Sequence, residues 1–282
     1  MQICFKNFHG SDRLLDLSRP QIMGILNFTP DSFSDSGQFF SLDKALRQVE
    51  KMLTEGASII DIGGESTRPN AEPVSLEQEL DRVVPLVEAV HQQFDCFISV
   101  DTSKAVVMQE ASQAGADIIN DIRALQEPNA LETAARLKLP VCLMHMQGSP
   151  QTMQQQPEYD DVVEEVADFL NQRIFACLNH GIEKSHILLD VGFGFGKTVQ
   201  HNYQLLKHLK VFAQSGYPIL AGLSRKSMIG HILNKPVEQR VIGSVAGALI
   251  AIQNGANIIR VHDVGETADM LKIWQATQES DL

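Results

Sequence analysis

Eight short β-branched or aliphatic runs recur along the chain, each closing on a polar or ionisable residue just before a loop, and this recurrence restricts the fold most. The runs end at Asn27, Asp61, Asp101, Asn120–Asp121, His145, Asp190, Ser224, and Arg260 with His262. A parallel strand buried on both faces reads as a continuous apolar run, and a polar residue at its carboxyl end makes poor core filler. Amphipathic stretches with helical spacing separate the runs, over 42–56, 75–93, 104–115, 128–138, 158–180, 201–214, 240–254 and 266–278. Alternating β and α units spaced roughly 30–40 residues apart specify an α/β fold, the (β/α)8 TIM barrel, with its active site at the strand carboxyl ends. The polar termini are expected to converge there in one cup. That is the layout of an enzyme.

Barrels of roughly 250 residues form single units, so residues 1–282 are expected to be one domain. Residues 1–19 read as an N-terminal extension, with a hairpin turning near His9–Gly10–Ser11–Asp12 to cover the amino-end floor. The start, MQICFKNFHGSDR, has no long apolar stretch after its charges, so no signal peptide is expected. The longest low-charge run, Val241 to Ile252, is too short and glycine-rich to span a bilayer. Cys4, Cys96, Cys142 and Cys177 are scattered without metal-type spacing, which predicts buried reduced thiols in a cytoplasmic protein. A formal charge of −12 argues against a nucleic-acid or anionic-membrane partner, either of which needs a basic face.

Three constellations carry chemistry. Two long loops, Phe28 to Ser41 and Gly63 to Val74, follow the first two strands; loops of that length are commonly lids or binding loops. They offer an amide at Asn27, several hydroxyls, glycine amides and Arg68, a set suited to a phosphate-bearing substrate. Asp101, Asn120 and Asp190 form the second set, on strands three, four and six. Ionised carboxylates only accept hydrogen bonds, so a planar heterocycle with an amidine or guanidine edge would satisfy them. Charge-assisted pairs of this kind contribute about 1.5–3 kcal/mol each. Asp121 is expected to hold backbone amides instead.

The third set is Ser224-Arg225-Lys226-Ser227 after strand seven and Arg260-Val261-His262 on strand eight, where this fold frequently binds phosphate. Strand alternation points Arg260 and His262 the same way. Arg225 and Lys226 cannot both face inward, and the sequence leaves the choice open. The stretch from Asp190 to Lys197 resembles a phosphate-cradling glycine loop without Walker spacing; it reads as a tight turn presenting Phe193 to the cup. His145 is left open between a core role and a site role.

The blocks GILNFTPDSFSDSG, DIGGESTRP, SVDTSK, INDI, VCLMHMQG, DVGFGFGK, GLSRKSMIG and IIRVHDV resemble the dihydropteroate synthase family, in the family's order and over about residues 22 to 264. Phe28 and Ser36 stand where Val and Gly are usual, and Val191 replaces a usual proline. The resemblance implies transfer of a 7,8-dihydropterin-6-ylmethyl group from its diphosphate to 4-aminobenzoate, releasing diphosphate, in a folate pathway that sulfonamides block. It implies Asp101, Asn120, Asp190 and Lys226 as pterin ligands, with Met144 and Phe193 along the ring faces and Gly222 giving close backbone approach. It implies Mg2+ as cofactor with Asn27 as its ligand, and Thr67, Arg260 and His262 as diphosphate contacts. Phe33, Asp35 and Arg68 would complete the aminobenzoate site, with Ser227 near its carboxylate; Asp35, Arg68, Asp101 and Lys226 are the catalytic candidates. A homodimer is also implied, to which the helical surface over 240–254 could contribute.

Three other readings compete. A Schiff-base aldolase would use Lys226 as nucleophile but leaves the two phosphate-type loops unexplained. A folate methyltransferase barrel would share the ring-binding carboxylates but needs neither ESTRP nor SRKS. A non-catalytic pterin-binding protein would bind the ring and release no diphosphate.

Overall fold

In a computed structural model the eight runs pair in parallel into a closed barrel. The structure describes residues 1–29, 38–66, 74–149, 152–153 and 157–279, with backbone alone at 38–41. Two short strands come first, β1 (Gln2–Lys6) and β2 (Asp12–Asp16), paired antiparallel as the expected hairpin. The barrel strands are β3 (Gln21–Asn27), β4 (Ile59–Gly63), β5 (Phe97–Asp101), β6 (Ile118–Asp121), β7 (Val141–Met144), β8 (Ile187–Asp190), β9 (Ile219–Ala221) and β10 (Ile258–Val261). They neighbour one another in chain order, and β10 closes the ring against β3.

Strand alternation sorts the side chains. Ile60, Ile62, Ile98, Val100, Ile119, Leu143, Leu189 and Ile259 face outward into the apolar layer shared with the helices. Alternate residues face the barrel axis. At the amino end these are apolar: Met23, Ile59, Ile118, Cys142, Leu188, Leu220 and Ile258 pack with Ile3, Phe5, Leu15 and Leu17 of the hairpin segment. The hairpin therefore stoppers the floor. One pleat higher, on the same inward face, come Asp61, Ser99, Asn120, Asp190 and Arg260, so the barrel core changes from oil to charge within one turn of the pleat.

Several boundaries differ from expectation. The first helix runs Gln38–Glu55, so it begins before residue 42 and shortens the loop expected to reach Ser41. The stretch 201–214 is two helices, Val199–Lys207 and Leu209–Ala213, because His208 leaves helical geometry with φ −103° and ψ 15°. A short helix, Ser227–Leu233, follows β9 and was not read in the sequence; it carries Gly230 at its centre, which weakens a helical pattern. Cys96, Cys142 and Cys177 are buried as expected, but Cys4 is exposed on the hairpin. Among the described residues, no helix is long and apolar enough to cross a membrane.

Candidate active site

The register sets the level of the cup. Asn27 pairs with Gly63, Gly63 with Asp101, and Asp101 with Asn120, while Met144 pairs with Asp190 across β7 and β8. The expected strand-end residues thus share one rim. Below them sits a strand-end residue for which the sequence predicts no role. Asp61 is fully buried and accepts from Ser99 Oγ at 2.5 Å, from Asn120 Nδ2 at 3.3 Å and from Arg260 Nε at 2.6 Å. Asn120 spends its amide NH2 on Asp61, so it offers the cup its carbonyl oxygen. Arg260 also donates through Nη2 to Asp101 Oδ2 at 2.8 Å. Asp190 Oδ1 accepts the Gly192 amide at 2.7 Å. Asp101, Asn120 and Asp190 are each left with one acceptor oxygen for a ligand, as a donor-edged ring requires.

Electrostatics follow from this burial. Loss of water pushes the Asp101 carboxyl up to about 7, although the Arg260 guanidinium opposes the rise. Asp190 is raised by burial too, against its Gly192 hydrogen bond and the Lys226 and Arg260 charges. Burial lowers Lys226 to about 7, with Asp190 opposing. Lys226 turns inward: its ammonium donates to the Phe193 carbonyl and lies 4.1 Å from the centre of the Phe195 ring. Arg225 turns away to Asp263, which resolves the pair left open by the sequence.

The raised Asp101 makes a prediction about stability. Its contribution is complete below the unfolded value near 3.8 and is lost as pH rises through about 7, because the folded state holds that proton longer. Asp101→Asn removes this dependence. The melting temperature of the variant minus that of the parent should therefore become more positive between pH 4 and pH 7.5; a constant difference would show that Asp101 ionises freely.

The glycine loop inverts its expected polarity. Gly192, Gly194 and Gly196 have φ of +69°, +80° and +62°, the left-handed region that favours glycine. These turns aim carbonyls inward at a buried ammonium. Lys197 Nζ lies 3.0 Å from Gly192 O, 3.0 Å from Phe195 O and 2.9 Å from His145 Nδ1. Burial lowers Lys197 well below the ordinary lysine range and moves His145 down to about 3, so His145 is a neutral core acceptor. The same turns correct one expectation. Phe193 does not line the cup: its side chain is fully buried in the core between sheet and helices, and only its carbonyl reaches Lys226. The Phe195 ring, two residues on, is the one that lies against Lys226. Lys197→Met should leave these acceptors unpaired and destabilise the protein by about 1–3 kcal/mol in urea unfolding. An unchanged midpoint would mean that solvent replaces the ammonium without loss.

The remaining candidates are placed as follows. His262 Nδ1 lies 3.0 Å from Ser224 Oγ, on the same inward face as Arg260. Met144 is buried beside the cup, and a methyl on Gly222 would meet Arg260 at 3.9 Å, an ordinary contact. Ser227 is exposed at the start of helix Ser227–Leu233. Asn27 Oδ1 lies 3.7 Å from the point where a Gly63 Cβ would stand, so its amide oxygen faces the end of β4. Phe33, Asp35, Thr67 and Arg68 lie outside the described residues. The last described residues of the second loop are tethered at their base: Lys104 donates to Glu65 at 2.5 Å and also to Glu79. Asp121, as expected, holds the backbone amides of Arg123 and Leu125.

Asp61, Phe195 and Lys197 were missed. Asp61 was legible, since it precedes Gly63 by one full pleat and shares its side of the strand. The other two were not, because positive-φ glycines break the parity by which side-chain direction is read.

A profile described as pterin binding enzyme matches residues 23–262. A dihydropteroate synthase of Haemophilus influenzae is 71% identical over 269 residues, covering 95% of this chain and 98% of that one. One from Escherichia coli is 56% identical over 263 residues, covering 93% of each. Among solved structures, the Yersinia pestis dihydropteroate synthase with a sulfonamide drug superposes with a TM-score of 0.92 at 56% identity, covering 99% of this chain and 100% of that one. The Xanthomonas albilineans dihydropteroate synthase with 4-aminobenzoic acid gives 0.90 at 50% identity, covering 95% and 96%.

Proposed function

The chain belongs to the pterin binding enzyme family, and from that premise we propose how its cup performs the dihydropteroate synthase reaction. The activity joins the 7,8-dihydropterin-6-ylmethyl group to the amine of 4-aminobenzoate, releasing diphosphate and forming 7,8-dihydropteroate. The observation that carries the residue assignment is the set of three acceptors, Asp101, Asn120 and Asp190, braced from below by Asp61 and Arg260. In this reading they take the donor edge of the pterin, with Met144 against a ring face. Lys226 adds a donor beside Asp190, and Gly222 leaves room for the ring.

The C–O bond to diphosphate breaks, and the amine nitrogen forms the new bond to the exocyclic methylene carbon and loses a proton. As diphosphate departs, positive charge grows on the ring and methylene. Asp101 and Asp190 favour that charge from a buried position, where a carboxylate acts more strongly than in water. His262 and the free edge of Arg260 face the leaving anion. Ser227 and the Phe195 ring flank the approach of 4-aminobenzoate; the family resemblance assigns Phe33, Asp35 and Arg68 there and Thr67 to the diphosphate.

Mg2+ fits the oxygen donors present. Asn27 offers its amide oxygen, and a hard cation held by one or two protein oxygens takes its remaining ligands from water and phosphate. Among the described residues no group of three His, Cys, Asp or Glu could hold a metal unaided, so the ion is proposed to arrive with the diphosphate. When bound, it would neutralise the leaving group.

Residues 1–282 are read as one unit and the chain as a cytoplasmic homodimer. Exposed Ile232, Ile242 and Ile273 on the helices around β9 and β10 support the dimer, and three buried free thiols support a reducing compartment. Sedimentation tests the first. The function itself is tested by diphosphate release from the pterin diphosphate, with and without 4-aminobenzoate. Release coupled to pteroate formation is expected; ring binding without release would leave a binding protein.

A further inference from the structure

Arg225 is a non-glycine residue with φ +58°, immediately before Lys226. An L-residue in the left-handed region is held there by its surroundings or relaxes out of it. Here the backbone amide, the backbone carbonyl and the guanidinium of Arg225 are all fastened. Its amide donates to Ser244 Oγ at 2.8 Å, and its carbonyl accepts from Arg240 Nη1 at 3.0 Å. Its guanidinium forks onto Asp263, with Nε to Oδ2 at 3.0 Å and Nη2 to Oδ1. The fasteners are themselves fixed. Ser244 donates back to the Arg240 carbonyl at 2.8 Å, and Arg240 Nε donates to the Lys235 carbonyl at 3.0 Å. The Arg240 guanidinium fills the side-chain space of Gly230, where a Cβ would come within 2.2 Å of it. Asp263 is buried at the head of helix Val264–Glu279.

This arrangement has a geometric result. A left-handed residue reverses the chain locally, so consecutive side chains that would splay apart are sent to chosen sides. Arg225 goes out to Asp263, and Lys226 goes in to the Phe193 carbonyl and the Phe195 ring. We propose that Asp263, with Ser244 and Arg240, forms a positioning set that holds Arg225 in the left-handed conformation and thereby aims Lys226 into the cup. None of the three touches the cup; each acts through residue 225. The inference rests on the reading of Lys226 as a site residue.

The test separates backbone geometry from charge. Arg225→Ala, Arg225→Gly, Asp263→Asn and Lys226→Met are made in the full chain, and kcat, KM for both substrates and melting temperature are measured. Alanine removes the fork and keeps the left-handed penalty, so Arg225→Ala should lower kcat roughly 5- to 30-fold, as should Asp263→Asn. Glycine adopts positive φ without penalty, so Arg225→Gly should stay within about threefold of the parent. Asp263→Asn added to Arg225→Gly should cost little more, since the fork is already gone. Glycine no better than alanine at 225 would overturn the proposal. So would a raised KM for 4-aminobenzoate at unchanged kcat, because that outcome makes Arg225 a direct substrate contact. Arg225 is partly exposed, so its two variants compare folded proteins even if Asp263→Asn does not fold. Full activity in Lys226→Met would sink the reading of Lys226. An impaired Lys226→Met beside unimpaired Arg225→Ala and Asp263→Asn sinks the positioning set alone.

Discussion

Asp61→Ala is expected to cost about 3–5 kcal/mol of folding stability and to abolish measurable pterin binding. Removing one member of a buried ion pair strands the other, which is more damaging than replacing both. Arg260 would lose its Nε partner at 2.6 Å, Ser99 its acceptor at 2.5 Å, and Asn120 the group that fixes its amide. Freed from Asp61, Asn120 can rotate and present an NH2 where the ring needs an oxygen. Urea unfolding and calorimetry with a pterin check the two halves separately. An unchanged unfolding midpoint would mean that Asp101 alone suffices to neutralise Arg260.

Asp190→Asn should do the opposite to the fold and similar harm to binding. Its carboxyl is raised by burial, so the charged form is held at a cost that asparagine avoids. The variant amide can still accept from Gly192 through its oxygen, but this turns its NH2 toward the cup. Donor then faces donor. Losing one or two charge-assisted bonds should weaken pterin binding by about 2–5 kcal/mol, roughly 30-fold to several thousand-fold, with no fall in melting temperature. A folded variant with parental pterin affinity would remove Asp190 from the ring site.

The sequence was legible wherever direction follows from parity. Asp101, Asn120 and Asp190 each stand at the carboxyl end of a mainly apolar, buried run, and their convergence follows from that placement. Parity fails where backbone turns intervene. Gly192 and Gly194 rotate Phe193 into the core and leave Phe195 for Lys226, although the two aromatics look equivalent in the motif. The choice between Arg225 and Lys226 depends on Ser244, Arg240 and Asp263, all at least 15 residues away along the chain. No local pattern carries that. Arg260 was expected at the leaving group, yet Asp61 and Asp101 take two of its nitrogens. Lys197 was invisible for another reason: a glycine-rich stretch suggests an anion cradle, and only coordinates reveal carbonyls pointing at a cation.

The stoppered floor has a consequence for traffic. Ile3, Phe5, Leu15 and Leu17 seal the barrel against Met23, Ile59, Leu188 and Leu220, so nothing enters or leaves by the amino end. The carboxyl-end rim is left as its door. A molecule seated against Asn120 and Asp190 cannot depart while another stands nearer the rim, however weakly the deeper one is held. Queue position, rather than affinity, then dictates the sequence of exits. A compound that lodges at the door detains whatever lies beneath it, and its residence time becomes theirs.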